Sequence, residues 1–314
     1  MFGNRVFRTI RPYHFRQVTH DPLVPSLSVV IPVRNGESTL AVQLHALFCQ
    51  QAAPPFEVIV ADNGSTDRTV ELAEELSSSA PLGVELTVVD CSQRVGVSAA
   101  RNAGVQASRA DLVLICDADD VVSPIWVRDM MAALETYDLV GGALDETRLN
   151  SELDAVNGRG LDKELPVSLR FLPFALGANV GVRRNVIDAI GGWDETFVGG
   201  GDDIDFSWRA QLAGYTLGFC GTAVIDYRLR KDLKGAYKQA YRNARAGPRL
   251  YRVYGHLGAR RRTARSIAYS WFWIISRAPM VVFGSYGLRL QWCRRVGLAF
   301  GRVAGSITNR VVYL

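Results

Sequence analysis

Short apolar runs alternate with amphipathic segments from residue 27 to about residue 120. Four of the runs have the length of strands and are rich in Val and Ile, at 27–33, 57–61, 85–90 and 111–117. Segments with helical spacing lie between them, at 37–50, 66–76 and 97–107. Strands that are apolar at consecutive positions are typical of a parallel sheet covered on both faces. The order of these elements predicts an α/β fold with a mainly parallel sheet flanked by helices.

A long amphipathic helix is predicted over residues 232–255, where basic residues recur at steps of three or four. These residues are Lys234, Lys238, Arg242, Arg245, Arg249 and Arg252. The spacing places all six on one stripe of the helix. The pair Gly247-Pro248 should kink or break this helix midway, because proline lacks the backbone donor and crowds the preceding turn.

Two apolar runs follow at 266–276 and 278–288, and Arg277 divides them. Each is 11 residues long, whereas a membrane-spanning helix needs about 20 consecutive apolar residues. Three tryptophans with neighbouring arginines (Trp271, Trp273 and Trp292) instead favour an interfacial helix or a re-entrant hairpin on an anionic membrane surface. A helix packed over the preceding domain and an oligomer interface remain as alternative interpretations.

The charge of the chain is divided between two regions. Residues 1–227 hold 17 Lys/Arg against 30 Asp/Glu, a net charge of −13, and residues 228–314 hold 19 Lys/Arg against one Asp, a net charge of +18. We therefore expect three parts: a basic N-terminal arm (1–26), an α/β domain (27–227) and a basic helical region (228–314). Five dispersed cysteines and the lack of an apolar leader predict reduced thiols and a cytoplasmic location.

Acidic turns follow three of the predicted strands, at the edge of a parallel sheet where ligands bind. They are Asp62-Asn63-Gly64-Ser65, Asp90 and Asp117-Ala118-Asp119-Asp120. The glycine patterns of dinucleotide-binding and P-loop proteins are missing after the first strand, so both classes are excluded. Three crowded carboxylates predict a Mg²⁺ or Mn²⁺ site that keeps positions open for phosphate oxygens. The alternative is a solvated acidic loop.

A second acidic cluster follows three glycines at Gly199–Gly201 and opens a predicted helix. It contains Asp202, Asp203 and Asp205. Acids in a first helical turn ordinarily cap the helix or stabilise its dipole. A glycine-rich approach also predicts a mobile loop that closes over a ligand, and a carboxylate held there can serve as a general base. Both interpretations hold if Asp202 caps the helix while Asp203 carries out the chemistry.

Six segments of the chain, read in order, resemble the motifs of family-2 glycosyltransferases. They are LSVVIPVRNGESTL, EVIVADNGSTDRT, GVSAARNAG, DLVLICDADD, GANVGVRR and GGWDETFVGGGDDIDFSWR, and the resemblance covers roughly residues 27–227. The resemblance implies an inverting hexosyl- or deoxyhexosyltransferase with the GT-A fold that uses a nucleotide-diphosphate sugar. Each motif alone is weakly specific, whereas the ordered set is specific.

The resemblance also implies roles for individual residues. The nucleotide-sugar site would contain Pro32, Val33, Arg34, Glu37, Asp62, Asn63, Arg101, Asn102 and Asp117. Asp117 and Asp119 would hold the divalent cation, with Asp119 as the direct ligand. Asp203, preceded by Asp202, would be the catalytic base, and Asn179 and Trp193 would lie on the acceptor side. Asn63 stands where many members carry a second acid, so uracil is not assigned and thymidine and guanosine stay open.

The expected function is metal-dependent transfer of a sugar, with inversion, to a hydroxyl of a lipid-linked or cell-surface glycan. The expected location is peripheral, on the cytoplasmic face of the membrane. A polyprenyl-phosphate sugar synthase is the alternative enzyme, since the sequence does not decide which acceptor atom attacks. An inactive scaffold and a nucleic-acid-binding module are further alternatives. The acidic 27–227 region argues against nucleic acid as a partner, and the oligomeric state is not predicted.

Overall fold

The computed structural model describes residues 25–150 and 160–313. Most of the predicted basic arm (1–26) therefore lies outside the described residues. The strands are β1 (Ser28–Val33), β2 (Phe56–Asp62), β3 (Val84–Asp90), β4 (Leu112–Cys116), β5 (Val121–Val122), β6 (Leu139–Asp145), β7 (Asn179–Arg183) and β8 (Leu217–Asp226). The helices are α1 (Leu40–Phe48), α2 (Thr69–Ser77), α3 (Val97–Ala107), α4 (Trp126–Thr136), α5 (Arg184–Ile190), α6 (Asp202–Leu212), α7 (Leu233–Tyr254), α8 (Ala264–Ser276), α9 (Met280–Phe283) and α10 (Tyr286–Thr308).

All eight strands form one mixed sheet in the order β3-β2-β1-β4-β7-β6-β8-β5. The first four pair in parallel, as the sequence pattern predicts. Strand β7 then inserts antiparallel between β4 and β6, and β5 pairs antiparallel with β8. The sheet is therefore parallel on the side of the first strands and mixed beyond β4.

The core lies on both faces of the sheet. Every residue of β1 and β2 is buried, including polar Ser28 and Glu57, which hydrogen-bond to each other. One face packs against α1, α2 and α4, and the other against α3, α5 and α6. Burial on both faces explains why these strands show no polar alternation in the sequence.

The carboxyl ends of the parallel strands bring the acidic turns to one edge. Val33, the last residue of β1, pairs with Asp62 at the end of β2, which in turn pairs with Asp90 of β3. On the other side of β1, strand β4 ends at Cys116 and leads directly into Asp117. The sequence prediction that these turns share an edge of the sheet is therefore confirmed.

The basic helical region is built on two helices, α7 and α10, that run in the same direction in close contact. Gly297, Gly301 and Gly305 of α10 lie in turn against the backbone carbonyls of Tyr237, Tyr241 and Arg245 in α7. A Cβ atom at Gly297 would lie 2.5 Å from the first of these carbonyl oxygens, and one at Gly305 2.7 Å from the third. Glycine at every fourth position is therefore what permits this close approach.

The predicted break at Gly247-Pro248 is wrong, because α7 continues from Leu233 to Tyr254 with Pro248 inside it. Pro248 is buried, and its ring lies against Gly305 of α10. Packing along the whole length of α7 offsets the missing backbone hydrogen bond. The helix begins at Asp232, whose carboxylate accepts from the Gly235 backbone nitrogen at 2.7 Å.

Replacing Gly301 with Leu is expected to destabilise the basic region. The new side chain would meet the Tyr241 carbonyl and the Ala244 side chain, and forcing extra atoms into a packed contact costs about 1–3 kcal/mol. Chemical denaturation measures the loss. Ile307→Leu, at an exposed position of the same helix, is the matched control and should leave stability unchanged. An equal stability of both variants would contradict the close packing of α7 and α10.

Helices α8 and α9 cover part of α10. Trp273 and Ile274 of α8 are buried against Ala299 of α10, and the Trp292 indole donates to the Ile274 carbonyl at 3.0 Å. None of the described helices combines the length and the apolar character that crossing a bilayer requires.

Candidate active site

The turn that follows β4 carries Asp117, Asp119 and Asp120, and backbone contacts fix its shape. From α1, the buried Gln43 side chain donates to the Asp117 carbonyl at 3.1 Å and accepts from the Val122 nitrogen at 3.0 Å. From the segment after β8, the Arg228 guanidinium donates to the Asp119 carbonyl at 2.8 Å. The acidic turn is thus held from both sides before any ligand binds.

The three carboxylates of this turn are close enough to share one cation. One oxygen atom from each of Asp117, Asp119 and Asp120 lies within 4.8 Å of the others. Asp120 is buried, and one of its oxygens has no hydrogen-bond partner among the described residues. Burial and the two neighbouring carboxylates raise the pKa of Asp120 well above its usual value. A set of hard oxygen ligands with an unsatisfied buried oxygen fits Mg²⁺ or Mn²⁺.

Two arginines that the sequence prediction did not place here complete the acidic turn. Arg230 forms an ion pair with Asp119 at 3.0 Å, and the Arg228 backbone nitrogen donates to Asp120 at 2.8 Å. Both follow β8 and fall in the predicted basic region, beyond the boundary drawn at residue 227. Their position in the sequence, shortly after the end of β8, is the signal that could have identified them.

Arg101 of α3 lies at the centre of the site. Its guanidinium is buried, 2.5 Å from an oxygen of Asp202 and 3.4 Å from an oxygen of Asp117. Gly177 leaves room for it, since a Cβ atom there would lie 2.6 Å from the guanidinium. Arg101 therefore connects the acidic turn after β4 to the acidic N-terminus of α6, and these two predicted clusters form one site.

Asp203 is the partly buried carboxylate next to this pair. One oxygen accepts from the Gly177 nitrogen at 3.4 Å, and the other from the Ile204 nitrogen at 2.8 Å. Burial and the negative charge of Asp202 raise its pKa to about 6, against the lowering effect of Arg101. A carboxylate with this pKa is mostly ionised at neutral pH and is more basic than an ordinary aspartate.

The glycines before α6 determine how Asp202 and Asp203 are presented. Gly199, Gly200 and Gly201 all have positive φ angles, of 90°, 135° and 83°, which favour glycine. A Cβ atom at Gly201 would also lie 2.5 Å from Ala246 of α7. The loop thus packs on α7, and its predicted ordering on donor binding stays a prediction. Asp202 does not cap the helix, because its side chain is paired with Arg101.

The residues predicted to surround the nucleotide differ in their exposure at this edge of the sheet. Pro32 and Val33 are buried at the end of β1, whereas Arg34 and Glu37 are exposed. The buried Asp62 carboxylate accepts from the backbone nitrogens of Gly64 and Ser65, at 3.2 Å each. Asp62 therefore shapes the turn after β2.

Four further predicted site residues have side chains engaged within the protein. The Asn63 amide bonds to the backbone of residues 91–96, and the Asn102 amide bonds to the backbone of Trp193. Asn179 is completely buried and bonds to Ala143, Ala223 and Trp126. Trp193 is buried and stacks on Phe206 at 3.9 Å. These side chains are thus engaged within the protein, and the predicted contacts of the four residues with a donor or an acceptor stay predictions.

A cavity of about 320 Å³ lies among residues that precede Gly177 in the chain. It is lined by Leu176 and by residues of the 162–167 segment. Leu176 directly precedes Gly177, whose backbone nitrogen bonds to Asp203. One residue of the cavity lining is thus the chain neighbour of a residue that bonds to Asp203.

Comparison with known sequences agrees with this geometry. The sequence model described as "Glycosyl transferase family 2" matches residues 28–191, and that of "Glycosyl transferase family group 2" matches residues 112–300. The chain belongs to glycosyl transferase family 2. The predicted family and enzyme class are therefore confirmed. The first match covers more than half of the chain and includes the acidic turn after β4, and the second includes α6.

Two curated relatives illustrate the range of the family. Glycosyltransferase AglE of Haloferax volcanii is 30% identical over 200 residues, which cover 62% of this chain and 64% of AglE. The undecaprenyl-phosphate 4-deoxy-4-formamido-L-arabinose transferase of Aeromonas hydrophila is 37% identical over 118 residues, 37% of this chain and 36% of that protein. The chain thus spans less than two thirds of either relative.

A solved structure extends the similarity to most of the chain. The mannosyltransferase PcManGT from Pyrobaculum calidifontis, in complex with GDP-Man and Mn²⁺, has a TM-score of 0.60 and 18% sequence identity. The match covers 91% of this chain and 87% of PcManGT. At this identity the likeness shows the fold, and the predicted GT-A fold is confirmed.

Proposed function

We propose that this family-2 glycosyltransferase moves a sugar, with inversion, from a nucleotide-diphosphate sugar to an acceptor hydroxyl. The observation that carries the proposal is the convergence of Asp117 and Asp202 on the buried Arg101 guanidinium. This contact connects a set of carboxylates suited to a cation with Asp203, a carboxylate suited to a base. A donor with a diphosphate needs the first group, and an acceptor hydroxyl needs the second.

The acidic turn is proposed to hold the donor. Asp117 and Asp119 would bind the divalent cation, which supplies positive charge next to the diphosphate of the leaving nucleotide. Arg230 would leave Asp119 when the cation binds and would be free to contact the diphosphate oxygens. PcManGT, whose structure was solved in complex with GDP-Man and Mn²⁺, supports this donor class. Mg²⁺ and Mn²⁺ both fit the ligand set.

Asp203 is proposed to take the proton from the acceptor hydroxyl, whose oxygen attacks the anomeric carbon from the face opposite the diphosphate. One displacement breaks the bond to the diphosphate, forms the new glycosidic bond and inverts the configuration. Asp202 and Arg101 are positioning residues: the ion pair between them fixes the first turn of α6 and sets the charge around Asp203.

The acceptor is proposed to be a lipid-linked or cell-surface glycan, with the enzyme at the cytoplasmic face of the membrane. The cavity lined by Leu176 would offer a place for part of such an acceptor. A polyprenyl-phosphate sugar synthase is the second candidate, in which a lipid phosphate oxygen attacks. It is favoured by the relative named as an undecaprenyl-phosphate transferase and by the basic 228–314 region.

A thermal-shift panel tests the proposal. The purified chain is mixed with UDP-, dTDP- and GDP-sugars, each with and without Mn²⁺. We expect one nucleotide class to raise Tm, and only with the metal, since a ligand that binds only the folded state stabilises it. No response to any of the sugars by folded protein, with and without anionic vesicles, would contradict the proposal.

The pH profile provides a separate prediction about Asp202. Activity should fall as the pH drops through about 6, because Asp203 must be ionised and its pKa is raised to about 6. Asp202→Asn removes the neighbouring negative charge that raises this pKa, so the inflection in kcat/KM should move to lower pH. Asp188→Asn, at an exposed position of α5, is the control that should not move it. An unchanged inflection in Asp202→Asn would exclude Asp203 as the titrating group.

A further inference from the structure

Helices α8 and α9 carry a ridge of large apolar side chains on their outer side. We call Tyr269, Phe272, Ile275, Val282 and Phe283 the apolar ridge. Phe272 is 68% exposed and Phe283 86% exposed, and the other three are more than half exposed. Contiguous exposed apolar surface of this kind marks a site of interaction with another surface.

The apolar ridge is not an unfinished part of the core. The opposite side of α8 already packs on α10 through Trp273 and Ile274, and the Trp292 indole bonds to the α8 backbone. In α8 the ridge residues stand three apart (269, 272 and 275), so they form one face of a helix whose other face is occupied. The ridge therefore faces away from the protein.

Arginines border the apolar ridge. Arg261, Arg265 and Arg277 are exposed, and no acidic side chain of the described residues forms an ion pair with them. Asp232, the one acid of the 228–314 region, is used at the N-terminus of α7. The border of the ridge thus carries positive charge that the protein does not neutralise.

A second arginine cluster shows the same imbalance. Arg302 of α10 is partly buried near Arg262 and Arg295. Burial, together with the positive charges of these two arginines, lowers the pKa of Arg302 to about 10. Such a concentration of positive charge is relieved by an external anion such as phosphate.

We propose that the apolar ridge inserts into the headgroup and acyl boundary of an anionic lipid surface while the bordering arginines contact lipid phosphates. Aromatic side chains at the interface and arginines at their border are what a protein that lies on an anionic membrane requires. The charge decides for lipid over a second copy of the chain, because two copies would bring identical arginine borders together.

A contact at the start of α10 connects the apolar ridge with the catalytic site. The Tyr286 hydroxyl, three residues after Phe283, donates to the Lys231 carbonyl at 2.8 Å. Lys231 follows Arg230, which is paired with Asp119 of the acidic turn. The ridge therefore lies close to the segment that borders the donor site. On the proposed function, this would bring the cleft to the level of lipid phosphates and favour an acceptor carried by a lipid.

The test is co-sedimentation of the full chain with vesicles. The vesicles are equimolar phosphatidylcholine and phosphatidylglycerol, or phosphatidylcholine alone. The wild type should bind the anionic vesicles and be released by salt, since screening weakens contacts between exposed charges and lipid. The double variant Phe272→Glu/Phe283→Glu should bind at least about tenfold more weakly, because it loses two aromatic side chains that would be buried in the lipid.

Leu82→Glu is the matched control, since Leu82 is fully exposed and lies between α2 and β3, far in the sequence from the apolar ridge. It should bind vesicles as the wild type does. Equal vesicle binding by the double variant, or equal binding to both vesicle types, would overturn the proposal. A wild-type dimer that the double variant converts to a monomer, without vesicle binding by either, would also overturn it and assign the ridge to a second copy.

The nucleotide-sugar response in vesicle-free buffer separates this proposal from the proposed function. The double variant should retain the wild-type Tm and the wild-type response to donor and Mn²⁺. Wild-type protein that binds anionic vesicles but responds to no nucleotide would refute the proposed function and leave the docking surface standing.

Discussion

Replacing Asp203 with Asn is expected to lower kcat by about 10³-fold or more, because general base catalysis typically contributes 10²–10⁴-fold. The amide keeps the shape of the side chain and its oxygen can still accept from one of the two backbone nitrogens that bond to Asp203, but it cannot accept a proton from a hydroxyl. Donor binding should be unchanged, since the donor is proposed to contact the acidic turn after β4. The measurement is nucleoside diphosphate release in the presence of acceptor, together with the Tm shift by donor and Mn²⁺.

Asp188→Asn is the control for this variant, because it makes the same chemical change on the exposed side of α5. It should retain wild-type turnover and wild-type donor binding. Turnover of Asp203→Asn within a few fold of the wild type would remove Asp203 from the mechanism. A loss of donor binding in Asp203→Asn would instead place this residue on the donor side.

Replacing Asp119 with Asn is expected to abolish the metal-dependent part of donor binding. A bound cation contributes several kcal/mol of charge stabilisation to phosphoryl oxygens, and 1.4 kcal/mol corresponds to a factor of ten. We therefore expect donor affinity in Mn²⁺ to fall by at least about 100-fold and turnover to be lost. Titration calorimetry with and without Mn²⁺ measures the affinity, and electron paramagnetic resonance measures bound Mn²⁺ directly.

Arg230→Ala is expected to have the opposite effect on the binding of Mn²⁺ at Asp119. Arg230 pairs with Asp119 at 3.0 Å, so a cation has to compete with the guanidinium for this oxygen. Removing Arg230 should therefore strengthen the binding of Mn²⁺ alone, while Asp119→Asn weakens it. Equal weakening by both variants would show that Arg230 helps to hold the metal and does not compete with it.

Much of the fold could be predicted from local patterns. The bounds of α3 match the prediction at Val97–Ala107, and the first four strands and the helices between them lie where the apolar runs indicate. These elements are buried on both faces or amphipathic, so their periodicity reports their packing. The antiparallel insertion of β7 could not be predicted, since the NVGVR segment looks the same in either direction.

The continuity of α7 depends on a partner distant in the chain. Pro248 has the local signature of a helix break, but the glycines at 297, 301 and 305 let α10 pack along the whole of α7. The predicted break rested on Pro248 and its neighbours in the sequence, and it did not take the four-residue spacing of these glycines into account. Close packing between helices outweighed the local preference here.

The prediction of the candidate site was limited in the same way, by contacts between segments that are distant in the chain. The two acidic clusters were both identified from the sequence, but the sequence did not indicate that one buried arginine joins them. Arg101 was predicted near the donor, whereas its position between Asp117 and Asp202 depends on the space left by Gly177. Asn179 was predicted to lie on the acceptor side, and its side chain is completely buried. Residue type and spacing identify groups able to do chemistry, and only packing shows which of them are exposed.

The measurement that tests the central claim most directly is the anomeric configuration of the product. The enzyme is incubated with the donor that the thermal-shift panel identifies, Mn²⁺ and an acceptor extracted from membranes, and the product is analysed by proton NMR. A single displacement assisted by Asp203 predicts a new glycosidic bond of configuration opposite to that of the donor, with one nucleoside diphosphate released for each sugar transferred. A product that retains the donor configuration would contradict the account, and so would nucleoside diphosphate release without any sugar transfer.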